Sequence, residues 1–291
     1  RRQRQMCIRD RDGDFPLIYA EKAICTYTHT FEIPGLANPF EWGDALNIVL
    51  ADASITLDDI STEKLEQARY IYLENYPQAN IKIEGHNVTF KGKASHGSLP
   101  WFGSNAGLHL LNYIARLRHI PELRSLFHLY HHGDGKRFGG DYKSDNFTDS
   151  SYCIGKIKYD GEKLTFYVNM RLPETINPQD ACDNVAEKMG GEVKLLSSSE
   201  ALVIDPESDM VRVLMDAYQK ETHDYTSKPL AIGGGTYAKE SKNTLAFGSA
   251  FPGRDNRIHD NEEYISLDDF YNSIAIYAHG IVNLAKLVKK A

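Results

Sequence analysis

The chain has 291 residues, 42% of them hydrophobic and 25% charged, which is typical of a folded protein with room for two domains. Its formal net charge of -7 argues against nucleic acid and anionic membranes as partners. No apolar run approaches the roughly 20 residues of a membrane helix. The four cysteines are far apart, which argues against a disulfide framework and favours a reducing compartment. We therefore predict a cytoplasmic protein.

Residues 1–11 differ from the rest of the chain. They contain five arginines and one aspartate, a net charge of +4, and no apolar stretch of the signal-peptide type follows them. A basic arm is one interpretation. We favour a non-native tail and leave these residues out of the fold prediction.

The first half of the remaining sequence alternates between strand and helix patterns. A helix is expected from Thr62 because Ser61 and Thr62 are good N-terminal residues and apolar residues follow at helical spacing. A second helix is expected after Gly103-Ser104-Asn105. The predicted elements are strand Ala23–His29, strand Asp44–Ile55, helix Thr62–Asn75, strand Asn87–Lys93 and helix Ala106–Leu117.

A hairpin and a second strand–helix pair follow. Asp160-Gly161 is a strong turn signal, and it separates the predicted strands Tyr152–Tyr159 and Lys163–Arg171. A helix is predicted over Pro178–Met189, ending at two glycines, and a strand over Glu192–Leu196. The order strand, helix, strand, strand, helix, strand predicts a ferredoxin-like α+β unit.

The sequence changes character after Asp205-Pro206. We predict a helix over Met210–Thr222, a glycine hinge at Gly233–Gly235, a strand over Thr244–Phe247 and an amphipathic helix over Leu267–Val288. The whole chain therefore predicts an α/β fold with an α+β segment in its middle.

Two segments near the C-terminus could carry chemistry. In Gly-Gly-Gly-Thr, the backbone at Gly234 and Gly235 and the hydroxyl of Thr236 could face an anionic group, although a flexible turn is the plainer interpretation. His259 follows a glycine-proline loop and has acidic residues directly after it, which suits a zinc ligand. A lone histidine there would more often be structural.

Taken together, GGGTYA and FGSAFPGRDNRIHDNEE resemble the dipeptidase V-type branch of the aminoacylase-1/carboxypeptidase G zinc peptidase family. GKASHGSLPWFGSNA, which contains His96, resembles the lid signature of that family. The resemblance implies that His259 binds a metal ion. It also implies that His96 stabilises the oxyanion formed when water attacks the amide, as an oxyanion-hole donor does.

Three further residues take their expected roles from this resemblance. Arg171, in VNMRLP, would hold the substrate carboxylate, with a surface ion pair as the alternative. Asn47 would help to bind substrate, or else cap a turn. Asp12, in DGDFPLIYAEK, would bind a metal ion, although Arg11 stands where the family has proline and Ala23 where it has glycine.

The resemblance also implies a domain organisation. Residues 12–27 and 205–291 would belong to a zinc-peptidase catalytic domain, and residues 28–204 would form its ferredoxin-like lid. The remaining ligands of the family come from an H-x-D element, a later aspartate and a Glu-Glu pair, all before the Asp12 motif. Two segments have the same residue types, His132-Gly133-Asp134 and Glu262-Glu263. The first lies in a loop of the expected lid and the second within the His259 motif, so we do not assign them these roles. We therefore expect a fragment that is inactive alone and binds zinc weakly.

We accordingly predict a metal-dependent dipeptidase, monomeric because of its extended lid, in which water activated by two Zn²⁺ ions cleaves dipeptides. Mn²⁺ and Co²⁺ suit the same ligand types. Two alternatives stay open: a non-catalytic module for peptide binding or assembly, and an aminoacylase or carboxypeptidase of the same family.

Overall fold

The computed structural model of the chain describes residues 13–255 and 262–288. The chain divides into two compact units. We name residues 1–22 with 200–291 the terminal unit, and residues 23–199 the central unit. Among the described residues, no helix has the length and apolar character needed to cross a membrane.

Strands and helices are numbered in chain order. The strands are β1 (Ile18–Glu21), β2 (Ala23–Glu32), β3 (Phe40–Trp42), β4 (Asp52–Thr56), β5 (Asn80–Glu84), β6 (Asn87–Lys91), β7 (Ser151–Tyr159), β8 (Lys163–Leu172), β9 (Glu192–Ser198), β10 (Leu202–Val203) and β11 (Leu230–Ile232). The helices are α1 (Thr62–Asn75), α2 (Ala106–Arg118), α3 (Pro121–Tyr130), α4 (Pro178–Met189), α5 (Asp209–Thr222) and α6 (Leu267–Val288).

The main sheet of the central unit has five antiparallel strands in the order β3-β7-β8-β2-β9. β2 and β8 pair along their whole length, from Ala23 opposite Leu172 to Glu32 opposite Lys163. Without the edge strand β3, the order β9-β2-β8-β7, with α2 between β2 and β7 and α4 after β8, is the ferredoxin-like arrangement. The predicted ferredoxin-like unit within an α/β chain is therefore confirmed.

Strand β8 follows the two-residue period of an extended chain. Its alternate residues Leu164, Phe166, Val168, Met170 and Leu172 are all 0% exposed and form the core face of the strand. The residues between them point to the opposite face of the sheet. This alternation places Asn169 and Arg171 on the face of the sheet away from the core.

A second antiparallel sheet, β4-β6-β5, and α1 lie between β2 and α2 in the chain. Buried aromatic rings hold this insertion together. The ring of Tyr72 on α1 lies 5.5 Å from that of Phe90 on β6 and 5.9 Å from that of Tyr113 on α2, centroid to centroid. Edge-to-face contacts of this kind add stability beyond the burial of apolar area.

The terminal unit has a three-stranded sheet in the order β10-β1-β11, with β1 antiparallel to β10 and parallel to β11. Phe15, which is 1% exposed, lies just before β1. Its ring packs 5.5 Å from that of Tyr218 on α5 and 4.7 Å from that of Phe251. The motif that precedes β1 therefore supplies a core residue of this unit.

Three predicted helices have the bounds found in the structure: α1, α4 and α6. The prediction of a strand over Asp44–Ile55 is wrong except at its end, where β4 begins at Asp52. The preceding backbone bonds to other loops: Gly97 N–H donates to Asn47 and Ala106 N–H to Leu50. A hydrophobic pattern cannot reveal those long-range partners.

The predicted strand over Thr244–Phe247 is also wrong. Only Ala246 forms an isolated bridge, to Ile18. From Ala20 onward β10 pairs with the same edge of β1, so no further ladder can form there. Helix α3 was missed, although Leu123, Leu126, Phe127 and Tyr130 are buried at helical spacing behind Pro121.

Candidate functional site

The two predicted metal ligands, Asp12 and His259, lie outside the described residues. Within residues 13–255 and 262–288, no three His, Cys, Asp or Glu side chains are grouped closely enough to hold a metal ion. The described residues therefore offer no ligand set against which a zinc ion can be tested.

His96 lies in a closed loop of the central unit. Lys93 and Ser104 pair across the base of the loop, and His96 itself pairs with Ile48. The loop ends where the Asn105 side chain accepts a hydrogen bond from Leu108 N at 3.1 Å and so caps α2. The Asn105 amide also donates to the Ile154 carbonyl at 2.7 Å, which fixes the loop to β7.

The hydrogen bonds of His96 define its neutral tautomer. The backbone N–H of Ser98, which can only donate, reaches His96 Nδ1 at 3.4 Å. Ser98 Oγ lies 2.7 Å from the same nitrogen. Nδ1 is therefore an acceptor, and the proton of the neutral ring is on Nε2. This is the tautomer in which Nε2–H can donate to a developing negative charge.

Gly97 packs between two asparagines. Its N–H donates to the Asn47 carbonyl at 2.7 Å. A Cβ at Gly97 would lie 2.9 Å from that carbonyl oxygen and 3.1 Å from Asn169 Oδ1. A side chain there would push both asparagines away, so the small residue after His96 is required by close packing.

Arg171 lies on β8, on the sheet face away from the core, and is only 4% exposed. Its Nε donates to Asn169 Oδ1 at 2.8 Å. Burial lowers the pKa of the guanidinium, because desolvation penalises its charged form. In the paired strands Arg171 is opposite Ser151, whose hydroxyl donates to the Gly97 carbonyl at 2.9 Å.

The structure thus brings together three predicted site residues of the central unit: Asn47, His96 and Arg171. Gly97 contacts the first directly and reaches the third through Asn169. Sequence reasoning assigned no role to Asn169, Ser98 or Ser151. The contact of Asn169 with Arg171 could have been predicted from the sequence, because the two residues share a strand face. The position of Ser151 opposite Arg171 depends on strand register, which the sequence pattern does not give.

The remaining predicted site residues belong to the terminal unit. Thr236 donates its backbone N–H to Glu21 Oε2 at 2.8 Å, and its hydroxyl donates to the other oxygen of the same carboxylate. Glu21 is 0% exposed. This contact holds the Gly234–Thr236 loop against β1, a structural role that the sequence did not predict.

No family model matches the sequence. A protein named putative dipeptidase from Staphylococcus aureus strain USA300 is 30% identical over 294 residues, which cover 94% of this chain and 62% of that protein. A protein with the same description from strain MRSA252 matches to the same extent. The chain thus spans 62% of the length of these curated relatives.

Solved structures also match, among them two peptidases of low sequence identity. The aminoacylhistidine dipeptidase from Vibrio alginolyticus is 11% identical with a TM-score of 0.38, over 83% of this chain and 58% of that chain. The M20 family metallo-carboxypeptidase from Sulfolobus solfataricus is 12% identical with a TM-score of 0.40, over 92% of this chain and 60% of that chain.

Proposed function

We propose that this chain belongs to a dipeptidase family, since proteins named putative dipeptidase are 30% identical over 94% of it, and that its activity is the metal-dependent hydrolysis of dipeptides. The observation that carries the proposal is the cluster of Asn47, His96 and Arg171 around Gly97. Besides activated water, the hydrolysis of a dipeptide needs a donor that stabilises the oxyanion and a cation that binds the substrate carboxylate.

His96 acts on the scissile carbonyl. Its Nε2–H donates to the carbonyl oxygen as negative charge develops there, while Ser98 keeps Nδ1 as an acceptor. A donor that is already oriented does not have to reorganise during the reaction. His96 is therefore the catalytic residue of the central unit.

Arg171 binds the substrate carboxylate. Asn169 accepts from its Nε and so fixes the plane of the guanidinium. A fixed, buried guanidinium favours a planar two-oxygen anion. Asn47 adds a polar contact to the substrate from the adjacent loop. A substrate-binding role for Gly234, Gly235 and Thr236 stays a prediction from the family resemblance.

The family resemblance implies two Zn²⁺ ions, with Asp12 and His259 among their ligands. Bound metal would supply activated water and polarise the carbonyl. Mn²⁺ and Co²⁺ are the alternatives. A cytoplasmic location and a monomeric state remain predictions, as do domain bounds at residues 12–27, 28–204 and 205–291.

The test is a substrate panel, with Zn²⁺, Mn²⁺ or Co²⁺ added in turn, on a chimera in which these residues replace the matching part of a full-length relative. The panel contains dipeptides, N-acetyl amino acids and longer peptides. We expect hydrolysis of dipeptides only, lost with a chelator and lowered about 100-fold in His96→Ala. Preference for acetylated substrates or for the C-terminal residue of long peptides would indicate the aminoacylase or carboxypeptidase alternative.

Binding of dipeptides without turnover under every metal would instead support the non-catalytic module. The expectation that the 291 residues are inactive alone has its own test, in which their rate is compared with that of a full-length relative. A comparable rate would contradict it.

A further inference from the structure

A cleft outside the proposed dipeptide site lies among the helices of the central unit. It is bounded by the end of α1, by α2 and by α3, and it encloses about 590 Å³. Such a volume is in the range of small-molecule sites. Neither His96 nor Arg171 lines it.

Cationic and hydrogen-bonding side chains line this cleft. Arg116 projects from α2, and Arg124 and His128 project from α3. Among the described residues that line it, none is acidic. The chain as a whole has a net charge of -7, so this local excess of positive charge runs against the overall balance.

Arg116 is held in place by aromatic rings. Its guanidinium carbon lies 5.7 Å from the ring centre of Tyr72 and 5.6 Å from that of Tyr76. Its buried Nε has no hydrogen-bond partner among the described residues. A buried donor without an acceptor costs free energy, so this guanidinium keeps unused hydrogen-bonding capacity.

His128 adds an imidazole to this lining. Arg137 Nη1 lies 3.0 Å from His128 Nδ1 and donates to the His128 backbone carbonyl at 2.6 Å. The cleft thus combines two guanidinium groups with an imidazole.

A second cleft, in the terminal unit, is lined by both positive and negative side chains. It encloses about 390 Å³ and contains Arg212, but Asp209 and Asp216 line it too. Arg212 forms an ion pair with Asp209. The positive charge is matched there, whereas in the first cleft it is not.

We propose that the cleft between α2 and α3 binds a small molecule with an oxyanion, a carboxylate or a phosphate ester, next to a flat apolar group. Arg116, Arg124 and His128 would contact the oxyanion, because guanidinium groups favour carboxylate and phosphate geometry. The rings of Tyr76 and Phe127, 5.4 Å apart and edge to face, would contact the flat group.

The test titrates the purified chain with phenyl phosphate, benzoate, inorganic phosphate and benzyl alcohol, followed by amide NMR shifts and calorimetry. We expect saturable binding of phenyl phosphate or benzoate, with shifts at Arg116, Arg124 and His128, and weaker binding of the two partial probes. The better of the two aromatic anions identifies the oxyanion as phosphate or carboxylate.

Arg124→Gln removes an exposed charge without touching the core, and we expect it to weaken binding about tenfold. Arg212→Gln is the matched control and should leave binding unchanged. Absence of saturable binding, equal binding of benzyl alcohol, or equal weakening in the control would each overturn the proposal. Circular dichroism checks the fold of both variants.

Added salt gives a measurement without any substitution, because screening should weaken an ionic contact at this partly open site. Binding that is insensitive to salt would contradict the assignment. These measurements record binding alone, so they succeed or fail independently of dipeptide hydrolysis.

Discussion

At the scale of single residues, the proposed role of His96 as a hydrogen-bond donor depends on which ring nitrogen carries the proton. A histidine in a motif indicates only that an imidazole is present. Ser98, two residues on, donates through its backbone and places its hydroxyl 2.7 Å from Nδ1. The short loop thus leaves the proton of the neutral ring on Nε2.

Ser98→Ala removes one of the two groups that hold Nδ1 as an acceptor. We expect the fraction of the Nδ1–H tautomer of His96 to rise about fivefold, since one hydrogen bond contributes about 1 kcal/mol. Nitrogen-15 shifts of the labelled imidazole measure this directly. Ser98→Thr keeps the hydroxyl and should restore the original shifts; identical spectra for Ser98→Ala and the parent would refute the role.

His29 predicts a pH dependence of stability. Burial lowers its pKa to about 4, while the unfolded chain keeps about 6.5. Between these values only the unfolded state takes up the proton, so stability is full above pH 6.5 and decreases as the pH falls toward 4. The ring is held neutral between the Gly190 carbonyl, 2.7 Å from Nε2, and the Tyr130 hydroxyl, 2.8 Å from Nδ1.

The measurement is an NMR titration of the His29 ring together with urea unfolding at pH 7 and pH 5. We expect a midpoint near 4 and a lower free energy of unfolding at pH 5. His109, whose pKa burial also lowers to about 4, should add to the same slope. A midpoint of His29 near 6.5 would contradict the structure.

At the scale of elements, caps and packing decide how much each helix contributes. Two helices of the central unit begin with side-chain caps of different quality. Ser61 accepts from Lys64 N at 3.4 Å on the exposed start of α1. Asn105, 8% exposed, caps α2 and also bonds to β7.

We expect Asn105→Ala to lower the free energy of unfolding by about 2 kcal/mol and Ser61→Ala by less than about 1 kcal/mol. The difference arises because Asn105→Ala also leaves the buried Ile154 carbonyl without its donor. Urea denaturation of both variants measures it. Equal losses would mean that the bond to β7 contributes nothing.

At the scale of the whole molecule, the central unit is continuous in the chain and its two ends are adjacent. Ser199 N–H donates to the Ile24 carbonyl at 2.9 Å, and Cys25 pairs with Ser198. Its sheet and its aromatic cluster are complete within residues 23–199. Adjacent ends and a separate core are the features of a domain that can fold alone.

We expect residues 23–199, expressed alone, to fold with a single cooperative urea transition, because every strand of both its sheets lies within that range. Dispersed amide NMR signals and circular dichroism would verify it. Residues 40–199, which lack β2, are the control and should not fold, since β2 lies between β8 and β9. A molten or aggregated product from 23–199 would contradict the expectation.

The sequence by itself determined the helices with strong caps and periods, the hairpin of β7 and β8, and the ferredoxin-like order, because these depend on local patterns. It also predicted roles for Asn47, His96 and Arg171 one by one. Only the tertiary structure decided that they lie around Gly97, that Asn169 holds Arg171, and that Glu21 engages Thr236. Those contacts join residues far apart in the chain, and strand register and loop closure, which no local pattern encodes, bring them within hydrogen-bond distance.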